Sequence, residues 1–70
     1  MNALPSKLWT IDEVSKYLRV KSSVIRYWIK TRSIPFIQIG REYRFDPSDI
    51  RAWLEKKKKN SLFDNLNLVL

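Results

Sequence analysis

The only glycine of the chain, Gly40, stands between two short runs in which apolar and polar residues alternate, and the segments before and after that stretch carry apolar residues at helical spacing. Period-two alternation around a turn residue marks a β-hairpin. A chain with one central hairpin and helices around it has few architectures open to it. Cysteine is absent, which excludes a disulfide framework and a thiolate metal site. Histidine is absent too, which removes the commonest general base, the commonest metal ligand and every Ser-His or Cys-His nucleophile. A chain of 70 residues has room for one domain and one core. With 44% hydrophobic residues it is too apolar for a disordered tail.

Thr10-Ile11-Asp12-Glu13 reads as a capping box, with Trp9 placed to staple onto Val14. Ile11, Val14, Tyr17 and Leu18 then recur at helical spacing, predicting a first helix over 11–18. Arg19-Val20-Lys21 is a tight turn. A second helix begins at Ser22 or Ser23, either of which can cap it. Its apolar stripe is Ile25, Trp28 and Ile29, while Ser22, Ser23, Arg26, Tyr27 and Lys30 fall on the other side. Pro35 is expected to terminate this segment. In the third helix Asp46 is the cap, Pro47 the first helical position, and Ile50, Trp53 and Leu54 the buried stripe, running into Lys56–Lys59. Those four lysines read as a solvated complement to the helix dipole.

The hairpin spans 36–45. A two-residue loop at Gly40-Arg41 would leave its apolar sets on opposite faces. A three-residue loop pairs Ile39 with Tyr43 and Ile37 with Phe45, puts those four on one face, leaves Gln38 and Arg44 outside, and sets Arg41 at the tip; this register is the expected one. The aromatics Trp9, Trp28, Trp53, Tyr43 and Phe45 share stripes with Ile and Leu and read as core, not as platforms for single-stranded bases. The organisation expected is an N-terminal arm at 1–8, a folded domain at 9–59, and a Leu-rich tail at 60–70. That tail is open between an extra helix packing back, a contact between protomers, the start of a longer chain, and a frayed end.

Charge points to a partner. Lys and Arg number 14 against 7 Asp and Glu, a net charge of +7. From Val14 to Arg41 lie Lys16, Arg19, Lys21, Arg26, Lys30, Arg32 and Arg41 with no acid among them. Solubility alone needs no such window, whereas attraction to a polyanion does. Helix, tight turn and a second, basic amphipathic helix form a helix-turn-helix pattern, and the hairpin and third helix make it winged. A helix fits the major groove of B-DNA, and a hairpin tip can reach the minor groove or the phosphates.

The opening WTIDEVSKYL, the segment SIPFIQIGREYRF and the closing DPSDIRAWL resemble the excisionase-type DNA-binding domain, a small relative of MerR-like winged helices, over Leu8–Lys57. The resemblance implies a mainly α winged helix-turn-helix with three core helices and a two-stranded wing. It implies DNA binding as a recombination directionality factor, a small transcriptional regulator or a module of a mobile element. Arg19 stands where that family usually has Gly, Lys21 where it often has a capping Ser, and Val24 where its second helix has Thr. The DNA target therefore does not carry over, and a contact from Val24 becomes apolar, to a thymine methyl.

The expected DNA-binding residues are Lys21, Ser22, Ser23, Arg26, Tyr27, Lys30, Arg41 and Arg44. Arg26, one turn from Lys30, suits a guanine because its fork bonds two acceptors at once. Lys21, Ser22 and Ser23 crowd a helix N-terminus, which favours phosphate, though the serines can equally serve as caps. Tyr27 can donate to a phosphate or pack on the wing. Arg41 and Arg44 suit phosphate or minor-groove contact. No catalytic residue, metal or cofactor is expected, since no carboxylate pair or phosphate-cradling glycine loop is present. The expected partner is double-stranded DNA, joined by an integrase or recombinase or by further copies of the chain. Alternatives are a basic adaptor for an acidic protein and the DNA-binding fragment of a larger recombinase. MNALPSKLW lacks the order of a secretory signal and no apolar run is long enough to span a membrane. The expected location is the cytoplasm, nucleoid-associated in a prokaryote or phage.

Overall fold

A computed structural model describes residues 7–69, with side chains described through Lys58. The elements run α1 (Ile11–Leu18), α2 (Ser22–Lys30), β1 (Ile37–Ile39), β2 (Glu42–Arg44) and α3 (Pro47–Val69). This is a mainly helical winged helix-turn-helix. Most of the arm expected at 1–8 lies outside the described residues.

The expected capping box opens α1. The Thr10 hydroxyl accepts from the Glu13 N–H at 3.2 Å, and the Glu13 carboxylate accepts from the Thr10 N–H at 2.9 Å. The helix closes on Arg19, held in the left-handed region at φ 59°, and the Val20 N–H reaches back to the Ser15 carbonyl. Glycine is the usual residue there because it has no Cβ to clash. Arg19 adopts the geometry regardless.

Three local expectations are corrected in the next stretch. Ser22 and Ser23 do not cap α2. Lys21 is the N-cap and supplies no side-chain hydrogen bond, so both serines sit inside the first turn. Nor does Pro35 stop the helix. It ends earlier, where Arg32 turns left-handed at φ 57° and the Ser33 N–H bonds to the Trp28 carbonyl at 2.8 Å. The third correction is the hairpin register. Ile37 pairs with Arg44, Gln38 with Tyr43 and Ile39 with Glu42, so the loop has two residues, Gly40 and Arg41.

The packing of the rings explains that register. It sets Phe36, Tyr43 and Phe45 on one face, where Phe45 is fully buried and Phe36 meets Tyr43 edge-on at 5.6 Å. An aromatic side chain buries about 150–250 Å², more than the isoleucines it displaces. The turn agrees: Gly40 takes φ +62° at the first loop position while Arg41 does not, the pattern of a type II′ turn, whose twist suits a hairpin. Ile37 and Ile39 move to the outer face.

Among the described residues the core takes Val14 from α1, Ile25 and Ile29 from α2, Ile34 from the connection, Phe45 from the end of the hairpin and Ile50 from α3. Ile34 carried no periodic signal and was not expected. Two long-range ties lock this arrangement. Trp9 and Phe45 exchange a pair of backbone hydrogen bonds, each 2.8 Å. The Trp53 indole N–H donates to the Ser33 carbonyl at 2.8 Å, beside an edge-on contact between Trp28 and Trp53. Asp46 caps α3 as expected, its carboxylate accepting from the Ser48 N–H at 2.8 Å. The α3 backbone continues through the Leu-rich segment to Val69 as one helix, not as a separate element. The side chains of the tail at 60–70, on which packing back or a contact between protomers would depend, lie outside the described ones.

Candidate nucleic-acid interface

The stripe on α2 that buries Ile25 and Ile29 leaves Arg26, Tyr27 and Lys30 exposed on the other side. Arg26 opens into a cleft of about 280 Å³. Thr10, Ile11 and Asp12, at the start of α1, form one side of it, and Arg41 to Arg44 of the hairpin form the other. The fold thus brings together three of the eight expected residues: Arg26, Arg41 and Arg44. Lys30 lies one turn further along α2, and Tyr27 is 61% exposed beside it, not packed away. Lys21, Ser22 and Ser23 form the N-terminal end of the same helix. With no side-chain cap there, the N–H groups of Ser22 and Ser23 are left without an intrahelical acceptor, while that of Val24 donates to the Lys21 carbonyl at 3.0 Å.

The three arginines of the cleft are not equivalent. The Arg44 guanidinium donates to the Tyr43 carbonyl at 2.8 Å and lies 3.5 Å from the Glu42 carboxylate. Among the described residues, neither Arg26 nor Arg41 forms an ion pair. The carboxylates of Asp12 and Glu42 were not expected at this site. Asp12 reads in sequence only as an acid in a first helical turn, and Glu42 has one cue, its place between two arginines. Behind the cleft, the backbone N–H of Thr10 and the Lys7 ammonium hold the Glu13 carboxyl below its ordinary value.

A positively charged helix face and a cationic hairpin tip thus lie beside one cleft. The sequence profile of the helix-turn-helix domain matches residues 10–58, most of the chain. This chain belongs to the helix-turn-helix domain family. That family includes excisionase-like DNA-binding domains, and a helix-turn-helix domain binds DNA. Comparison with curated proteins and with solved structures gave no significant match. The helix-turn-helix match takes in α1, α2, the hairpin and the first half of α3, so it covers every side chain of the cleft. Among the described residues no helix is long and apolar enough to cross a membrane.

Proposed function

We propose that this helix-turn-helix domain binds double-stranded DNA sequence-specifically and without catalysis, as a recombination directionality factor or small transcriptional regulator of the excisionase or MerR-like type. The observation that carries the reading is the common cleft of Arg26 and Arg41. Helix α2 enters the major groove, with Arg26 directed to a guanine, Val24 to a thymine methyl and Lys30 to the next contact along. Lys21 and the uncapped N–H groups of Ser22 and Ser23 take a phosphate. The hairpin lies at the adjacent minor groove or backbone with Arg41 leading. Arg44 supports it, and Tyr27 donates to a phosphate at the edge of the helix.

One module of this kind buries about 600–1,000 Å² on DNA. Useful affinity then calls for adjacent copies or a recombinase bound beside it. The test is titration of duplex DNA across a range of salt. Contact with about five phosphates gives a slope of log K against log salt near −4 to −5. A flat response, or no duplex binding at low salt, would replace this reading with the basic adaptor for an acidic protein.

A further inference from the structure

Ile39 takes no part in the core. The hairpin register places it opposite Glu42, on the face away from Phe45, and leaves it 56% exposed. Among the described residues the large hydrophobics that stay exposed are Tyr17, Tyr27 and Ile39, so Ile39 is the one aliphatic among them. A single exposed apolar residue is ordinary in itself. Its position is less so: it immediately precedes Gly40 and Arg41, and the finger ends on an isoleucine beside a guanidinium. An exposed strand position accepts Thr or Lys at least as well as Ile.

We propose that Ile39 is a specificity-determining residue of the wing, which packs into the minor groove beside Arg41 and disfavours G·C pairs there. The proposal rests on the reading of the hairpin as the minor-groove element. The minor-groove edge of an A·T pair offers only acceptors, which a guanidinium can satisfy, whereas a G·C pair adds the guanine 2-amino donor. An aliphatic side chain laid over that amino group strips its water and offers no acceptor in return, which is unfavourable. Glu42, paired with Ile39 across the hairpin, is drawn toward Arg44 at 3.5 Å. Against the deoxyribose walls the same isoleucine buries apolar surface, a gain that salt does not screen. Arg41 therefore supplies the salt-dependent part of the wing contact, and Ile39 a salt-independent part that also selects.

The full chain is used to select duplexes from a random pool, and the pairs under the wing are those whose minor-groove protection disappears with Arg41→Ala. At those pairs A·T is replaced by G·C or by inosine·C, which lacks the amino group. The wild-type protein is expected to lose about tenfold on G·C, in the range of one unfavourable base pair, and to recover on inosine·C. Ile39→Thr and Ile39→Ser are expected to shrink that discrimination to about twofold and to weaken binding equally at low and high salt. Their melting temperatures should match wild type, since Ile39 is outside the core. Discrimination that persists in both variants overturns the proposal, as does a loss of affinity that vanishes at high salt. Failure of the wild-type chain to select any duplex overturns the DNA-binding reading instead, and is seen before any Ile39 variant is made.

Discussion

Arg26 of α2 and Arg41 of the hairpin tip line the same cleft, and among the described residues neither is neutralised by an ion pair. Arg44 shares that cleft but is already bonded to the Tyr43 carbonyl and drawn to Glu42. The three should separate in fluorescence anisotropy titrations. Arg26→Ala should cost about 1–3 kcal/mol and relax preference at one base pair. Arg41→Ala should weaken binding to all duplexes and reduce the salt slope by about one. Arg44→Ala should change affinity least. If Arg26→Ala leaves both affinity and preference untouched, α2 is not the reading helix.

Phe45 is fully buried and also returns both backbone bonds of Trp9. Phe45→Ala removes a large ring from the centre of the core and should destabilise by about 3–5 kcal/mol. That is a large share of the stability of any small domain, so the variant should be largely unfolded by circular dichroism at room temperature. In the wild type, the amides of Trp9 and Phe45 should exchange hydrogen as slowly as those of the helical core.

Arg19 holds a left-handed conformation that costs an L-residue about 1–2 kcal/mol. Glycine removes that cost but gives back roughly half to one kcal/mol through its freer unfolded chain. Arg19→Gly should therefore stabilise slightly, by up to about 1 kcal/mol, or about 4–8 °C in Tm. Arg19→Ala keeps the strain and should show no gain. A lower Tm for the glycine variant would mean that the Arg19 side chain makes a stabilising contact of its own.

Gly40 sits at φ +62° with open space where a Cβ would be. Gly40→Ala should cost up to about 1 kcal/mol, the backbone strain of about 1–2 kcal/mol less the roughly 0.5–1 kcal/mol that glycine forfeits through its freer unfolded chain, and Gly40→Asn less, because Asn with Gly and Asp dominates the primed turns. Thermal melts of the two variants check the order. Equal losses would point to a steric cause that the open surroundings argue against.

The Glu13 carboxyl is held below its ordinary value of 4.5, chiefly by the Thr10 backbone N–H and then by Lys7. The folded chain thus binds fewer protons at this group than the unfolded chain. The stabilisation is present in full above about pH 4.5 and is lost as pH falls through the lower folded-state value. Glu13→Gln should flatten this part of the acid limb in pH-dependent denaturation. An unchanged limb would remove Glu13 from the account of acid sensitivity.

What the sequence disclosed was the chemistry that acts within a few residues. The Thr10–Glu13 box, the Asp46 cap and Pro47 at the first turn of α3 all depend on local spacing, and all three stand. The register of the hairpin turned on a comparison that pattern alone does not make. Both candidate faces are apolar, and the larger rings of Phe36, Tyr43 and Phe45 took the interior from Ile37 and Ile39. The stop of α1 at Arg19 stands as the tight turn at 19–21 marked it, whereas the stop of α2 before Arg32 was hidden, because a non-glycine residue in the left-handed region has no compositional mark. The pairing of Trp9 with Phe45, and the meeting of Asp12 with Arg26 and Glu42, arise only when distant segments are folded together. Charge and amphipathicity named Arg26, Arg41 and Arg44. The fold put them in one place and set Arg44 apart by giving it partners.

The hydrogen bond from the Trp53 indole to the Ser33 carbonyl fastens α3 to the exit of α2. Ser33 also closes α2 by its own bond to Trp28, whose ring rests against Trp53. A torque applied anywhere along α3 would be delivered through this rivet to the base of α2. The bearing of Arg26 would then answer to whatever load α3 carries.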